Sequence, residues 1–359
     1  SKTQISGIVD AAVNISARND TYKIVTDNTK LSKLVIINPG QPPFTQEQVT
    51  LDIDAEINPV TKAISVNKLQ LVSPQIKIKG TLQQSNQNDK TNLNAKLDCD
   101  YDWNAVSSIA SAFMPAGLKL AAKIKETIQS ASIYPAGQND KMLANLNSQT
   151  KVGFENIEYM GLNVGPTNVD ISVQNGMLKI SPFSSTVNNG KLNFAANADF
   201  TKKPSFLKTP QQMDIIKDVQ INDQTTKQLL MYVNPLFANA ANVTGVCSFN
   251  CEKLSMPVAG GSNKDIDLIG TISMTAQMTP QSSNLLGQLL SAMGGGGNQN
   301  VVVHPTKITV KDGSLSYDSM QVDIGNKSLN FKGVIGLDDK SLDMTIAMPI
   351  TSGGQASTI

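Results

Sequence analysis

Apolar and polar residues alternate with a period of two along most of this chain, the signature of strands with one buried face. Ile171 and Val173 alternate with Ser172 and Gln174; after Asn175-Gly176, Leu178 and Ile180 alternate with Lys179. Asn-Gly accepts the positive φ of a type I′ turn, so the stretch predicts a two-residue hairpin. The same pattern returns at Ile308 and Val310, Asp312-Gly313, then Leu315 and Tyr317. ISVQNGMLKI aligns with ITVKDGSLSY without a gap, and Leu192-Asn193-Phe194 aligns with Leu329-Asn330-Phe331, both at an offset of 137 positions. One unit of strands is thus expected twice.

Further strands follow from the same rule. Ile53, Ala55 and Ile57 lead through a turn at Asn58-Pro59 to Ile64 and Val66, and Ile76, Ile78 and Leu82 follow with lysines between them. Leu93, Ala95 and Leu97 alternate with polar neighbours, as do Leu118, Leu120, Ala122 and Ile124 with Lys119, Lys123 and Lys125. Leu329, Phe331, Ile335 and Leu337 are expected on one face. Leu342, Met344, Ile346 and Met348 form the next strand, after a turn at Asp338-Asp339. Helical spacing is confined to short segments near 104–114, 209–217, 224–237 and 284–293. Asn104 is placed to cap the first, Thr209-Pro210 to open the second, and Pro235 to end or kink the third. The glycine run 294–297 lacks the Lys-Ser/Thr of a phosphate loop and reads as a linker. The expected organisation is a β-rich region over 1–150, a second over 151–350, and a frayed tail over 351–359. Sheets with one apolar face must stack into a sandwich, close into a barrel, or curl around something apolar.

Composition narrows the function more than the fold. The chain has 359 residues, 30 basic against 29 acidic, and a formal charge of +1, so no net field attracts nucleic acid. Arg18 is the only arginine. Bidentate reading of phosphates or guanine edges needs Arg, so a nucleic-acid partner is not expected. His304 is the single histidine, which excludes two-histidine metal sites and leaves no partner constellation for nucleophilic catalysis. No segment reaches the roughly 18 consecutive apolar residues of a membrane helix. The chain starts at Ser1 without a signal-peptide pattern, as expected of a portion trimmed from a longer protein.

The remaining candidates for chemistry resolve into structural roles. Asp98, Asp100 and Asp102 alternate along one strand, as do Asp52, Asp54 and Glu56. Carboxylates spaced about 7 Å apart on an extended face do not wrap a calcium ion and are expected to pair with lysines such as Lys77 and Lys79. Cys99, Cys247 and Cys251 are odd in number. The last two would lie about 13 Å apart on one strand, so all three read as buried apolar residues. Met320, Met344 and Met348 suit an adaptable apolar surface or an ordinary core. Neither an enzyme nor a cofactor is expected.

The pattern I-x-V-x-[ND]-G-x-L-x-[IY] followed by L-N-F resembles the carboxyl-terminal region of AsmA-like proteins of diderm bacteria. GVIGLDDKSLDMTIAMPI is similar to that family's closing strands, and LDCDYDWNAVSSI and LLMYVNPLFANAANVTGVCSFNCEKLSMP look like further segments of it. The resemblance, strongest over 160–350, implies a mainly β fold: an elongated, curled antiparallel sheet with a groove and few helices. It also implies inner-membrane anchoring, a periplasmic location, and a role with TamB-like relatives in moving phospholipids toward the outer membrane. The expectation is a non-catalytic module holding a phospholipid or other acyl-chain lipid, with envelope proteins as further partners. The groove would be lined by Ile171, Val173, Leu178, Ile180, Leu192 and Phe194, with Ile308, Val310, Leu315, Leu329, Phe331 and Ile335 from the second copy. The alternative is a closed β-sandwich acting as a scaffold of an envelope assembly.

Overall fold

The structure, a computed structural model, describes residues 4–37, 43–103, 117–234, 240–258, 262–280 and 299–347. The chain is mainly β, its strands antiparallel and its helices few and short. In order, the first strands are β1 (Gln4–Arg18), β2 (Thr21–Ile37), β3 (Phe44–Asn58), β4 (Ala63–Val72), β5 (Ile76–Gln87) and β6 (Lys90–Asp102). Then come β7 (Lys119–Ala121), β8 (Lys123–Pro135), β9 (Leu146–Phe154), β10 (Asn156–Tyr159), β11 (Leu162–Val164), β12 (Thr167–Gln174) and β13 (Met177–Val187). The later strands are β14 (Gly190–Asp199), β15 (Phe206–Lys208), β16 (Met213–Ile221), β17 (Ala240–Pro257), β18 (Asp267–Pro280), β19 (Gln299–Lys311), β20 (Ser314–Ile324), β21 (Lys327–Gly336) and β22 (Leu342–Ala347).

Two compact units divide the chain, and the division is not the single cut near residue 150 that the sequence suggested. Unit 1 comprises 1–157, 166–181 and 199–203; unit 2 comprises 158–165, 182–198 and 204–359. The hairpin at Asn175-Gly176 falls in unit 1 because β12 continues its ladder, pairing with β9 from Thr167↔Phe154 to Val173↔Ser148. Unit 1 is one antiparallel ladder running β1-β2-β3-β4-β5-β6-β8-β9-β12-β13. In unit 2, β16 to β22 pair in succession, and β15 joins β14 to β17.

Turn chemistry accounts for the abundant Asn and Asp. Asn19-Asp20, Asn88-Asp89, Asn175-Gly176, Asn188-Asn189 and Asp312-Gly313 all have positive φ at both positions, the geometry that suits the right-handed twist of a two-residue hairpin. The two copies of the repeated hairpin share a register, with Val173 opposite Leu178 and Val310 opposite Leu315. Gly176 (φ 76°) has a second constraint, since an added Cβ would lie 2.6 Å from the Ala144 carbonyl oxygen.

No helix forms over 209–217: residues 209–212 are irregular and 213–217 belong to a strand. Thr209 does not cap a helix: its N–H donates to the Leu254 carbonyl at 3.1 Å, and its hydroxyl accepts the Leu254 N–H at 3.1 Å. That ties the segment to β17, and β16 begins at Met213. The helix expected near 224–237 survives as α1 (Asp223–Gln228), capped by Asn222 accepting the Thr225 N–H at 2.8 Å, then a 3-10 turn at Leu230–Tyr232. The expected helices at 104–114 and 284–293, the glycine run, Pro235, Met348 and the tail lie outside the described residues.

Unit 2 has a closed core. Met278, Val301, Met320, Val322, Leu329 and Phe331 are fully buried together, and Leu230 and Val233 from the segment after α1 join them. The Asn234 amide reaches the Met320 sulfur at 3.6 Å.

Candidate functional site

The strand period sorts the side chains of unit 1 onto two chemically opposite faces. One register row carries Ile15, Ile24, Ala55, Val66, Leu82, Ala95, Ser130, Ser148, Val173 and Leu178, one residue from each successive strand of the ladder. Only the two serines interrupt its apolar character, and their hydroxyls satisfy each other at 2.9 Å. A neighbouring row runs Leu51, Leu71, Ile78, Cys99, Glu126.

This face is graded in its contact with water. At one edge, β1 is exposed throughout; its register bulges fall on β2, at Asn28 and Lys33, so Ile5, Val9, Val13 and Ile15 all point the same way. Ile5 is 70% and Ile15 66% exposed, so among the described residues no second layer covers that end. Most apolar side chains farther along, including Leu51, Leu71, Ile78, Leu82 and Leu97, are half-buried, and Val173 retains only 8%. A closed sandwich would have removed the whole face from water.

The opposite face holds the charges. Lys68 pairs with Asp52 at 3.5 Å, Lys23 with Asp54 at 3.4 Å, Lys125 with Asp100 at 3.6 Å and Lys151 with Asp170 at 3.3 Å. The alternating carboxylates are therefore a lysine-paired face, with Lys77 and Lys79 directly across from Asp100 and Asp98. A cleft of about 750 Å³ is lined by the lysines Lys77, Lys123, Lys125 and Lys151 with Asp100 and Asp102, and residues of the apolar face, Tyr101, Ile124 and Glu126, reach its margin. Such a lining suits hydrated groups and not acyl chains. Among the described residues no three of His, Cys, Asp and Glu converge as a metal site would require. No helix among them is long and apolar enough to cross a membrane.

The residues expected to line one groove meet different fates. In unit 1, Ile171, Leu178 and Ile180 are half-buried and Val173 buried, all on the apolar face. In unit 2, Leu192 is half-buried against the core, and Phe194 stacks edge-on with Phe183 at 6.2 Å. Ile308, Val310, Leu315, Leu329, Phe331 and Ile335 do not line an open groove, because they are shut inside the core of unit 2. The matching strand patterns differ in degree of exposure: Val173 and Val310 are both buried, but Leu178 is half-buried where Leu315 is buried, and Leu230 and Val233 belong to the core that holds Leu315.

Cys99, Cys247 and Cys251 are free and buried, and burial pushes the Cys247 thiol up to about 11. His304 Nε2 lies 2.6 Å from Asp323 Oδ2, and this hydrogen bond is the main cause holding the Asp323 carboxyl below its usual range. Sequence reasoning missed β1 and β2, the most exposed apolar strand pair of the face, although the apolar odd-numbered positions before Asn19-Asp20 carry the signal. It also missed Glu126, a carboxylate on the apolar side, although its place two residues from both Ile124 and Ile128 carries the signal. Comparison with family models, curated proteins and solved structures finds no match for this chain.

Proposed function

We propose that this protein is a non-catalytic lipid-binding module of AsmA-like type, which carries acyl chains on the apolar face of unit 1 for phospholipid transfer. The observation that carries this reading is the row from Ile15 to Leu178, apolar across the ladder except at Ser130 and Ser148 and only partly withdrawn from water. Apolar surface left half-wet over so many strands is stabilised by covering it. Each methylene removed from water contributes about 0.8 kcal/mol, so eight give roughly 6 kcal/mol before ordering costs. Chain length and unsaturation need no specific polar partner on such a face. With the resemblance come a periplasmic location, inner-membrane attachment, and outer-membrane maintenance as the process served.

A second reading applies to unit 2, whose closed core favours a structural or interaction scaffold. The test is native mass spectrometry of the chain purified without detergent. Adducts of phospholipid mass, lost on organic extraction and restored by phospholipid vesicles, are expected. Protein that stays lipid-free before and after vesicle incubation contradicts the proposal.

A further inference from the structure

We propose that Glu126 selects the head group, favouring amphiphiles that carry an ammonium group over anionic ones. The inference rests on the lipid-binding reading above and deepens it. Glu126 stands opposite Cys99 in the row that includes Leu71 and Ile78, so its side chain belongs to the apolar face. Its neighbours Lys125 and Thr127 face the other way, toward Asp100 and Asp98 respectively. The Tyr101 hydroxyl donates to Glu126 Oε1 at 3.0 Å and the Thr150 hydroxyl to Oε2 at 2.7 Å. Burial and, after it, the charge of Glu126 hold the Tyr101 hydroxyl well above its usual range, so Tyr101 remains a donor.

Both donors are neutral. On the opposite face Asp52, Asp54, Asp100 and Asp170 each have a lysine within 3.6 Å, whereas Glu126, half-buried, has no ion pair among the described residues. A carboxylate offers about four lone-pair positions, and two are taken here, which leaves acceptor capacity on both oxygens. Partly desolvated charge without a counter-charge is costly. An ammonium head group offsets that cost while its acyl chains lie on Ile78, Leu71 and Leu82. An anionic head group at the same place meets repulsion. Tyr101 and Thr150 fix the carboxylate, so the preference comes from charge and not from a mobile side chain.

The experiment incubates the full chain with vesicles of equal phosphatidylethanolamine and phosphatidylglycerol and quantifies both lipids in the re-isolated protein. The wild type is expected to enrich phosphatidylethanolamine at least about threefold, a modest affinity difference. Glu126→Gln should return the ratio to that of the vesicles, chiefly through less bound phosphatidylethanolamine, and Glu126→Lys should invert it. Glu126→Asp keeps the negative charge and should retain enrichment above the vesicle ratio, which separates charge selection from a merely structural role if Glu126→Gln folds poorly. Free ethanolamine at the same concentration should not displace bound lipid; displacement would mean that the site takes small amines instead. Wild-type protein carrying lipids in the vesicle ratio, or Glu126→Gln retaining the enrichment, overturns the inference. Protein that binds neither lipid fails the lipid-binding reading itself, and this inference falls with it.

Discussion

Leu71→Asp is expected to lower phospholipid binding by at least about tenfold while the strands of unit 1 stay formed. Leu71 sits between Leu51 and Ile78 on the apolar face, and all three are half-buried. A carboxylate there keeps enough contact with water in the free protein to be tolerated. An acyl chain laid across it would strip that water away, and 1.4 kcal/mol of lost desolvation energy already amounts to tenfold in affinity. Gln83→Asp, on the exposed polar face of the neighbouring strand β5, should leave binding unchanged. Circular dichroism beside lipid titration checks both statements. Equal losses from the two substitutions would show that the faces do not differ in function.

Phe331→Ala is expected to have its effect on stability instead. Phe331 has no exposed surface and lies opposite Met320 in the core of unit 2. Removing a buried phenyl ring loses its transfer energy and leaves a cavity, a cost of about 3–5 kcal/mol. The loss should appear as faster amide exchange along β20 and β21. Unchanged exchange there would mean that the core is looser than the burial indicates. The contrast between Leu71 and Phe331 separates a face that meets ligand from one that holds the fold together.

Periodicity made the strands legible because each side chain points to the face opposite its neighbour, and Asn175-Gly176 and Asp312-Gly313 marked their turns without ambiguity. The repeat at Ile171 and Ile308 was legible for the same reason, as far as backbone and register. Its environment was not. Exposure is set by what covers a sheet, and nothing in ITVKDGSLSY records that Leu230 and Val233 come to lie in the same core. Likewise, Thr209-Pro210 suits a helix start by local chemistry, but pairing with Leu254 across many residues outweighs it. The period of two that puts Ile124 and Ile128 on the apolar face puts Glu126 there as well, and the ladder that sets it opposite Cys99 agrees.

The proposal turns on which face of unit 1 touches lipid, and site-specific photocrosslinking measures that directly. A photoreactive residue would be placed in turn at Leu71, Ile128 and Leu178 on the apolar face, and at Gln83 and Gln129 on the polar face. The chain would then be irradiated with phospholipid vesicles and analysed for lipid-mass adducts. Adducts from the first three positions and none from the other two are the expected result. A folded chain that gives no adducts from Leu71, Ile128 and Leu178, or as many from Gln83 and Gln129, would contradict lipid binding on this face.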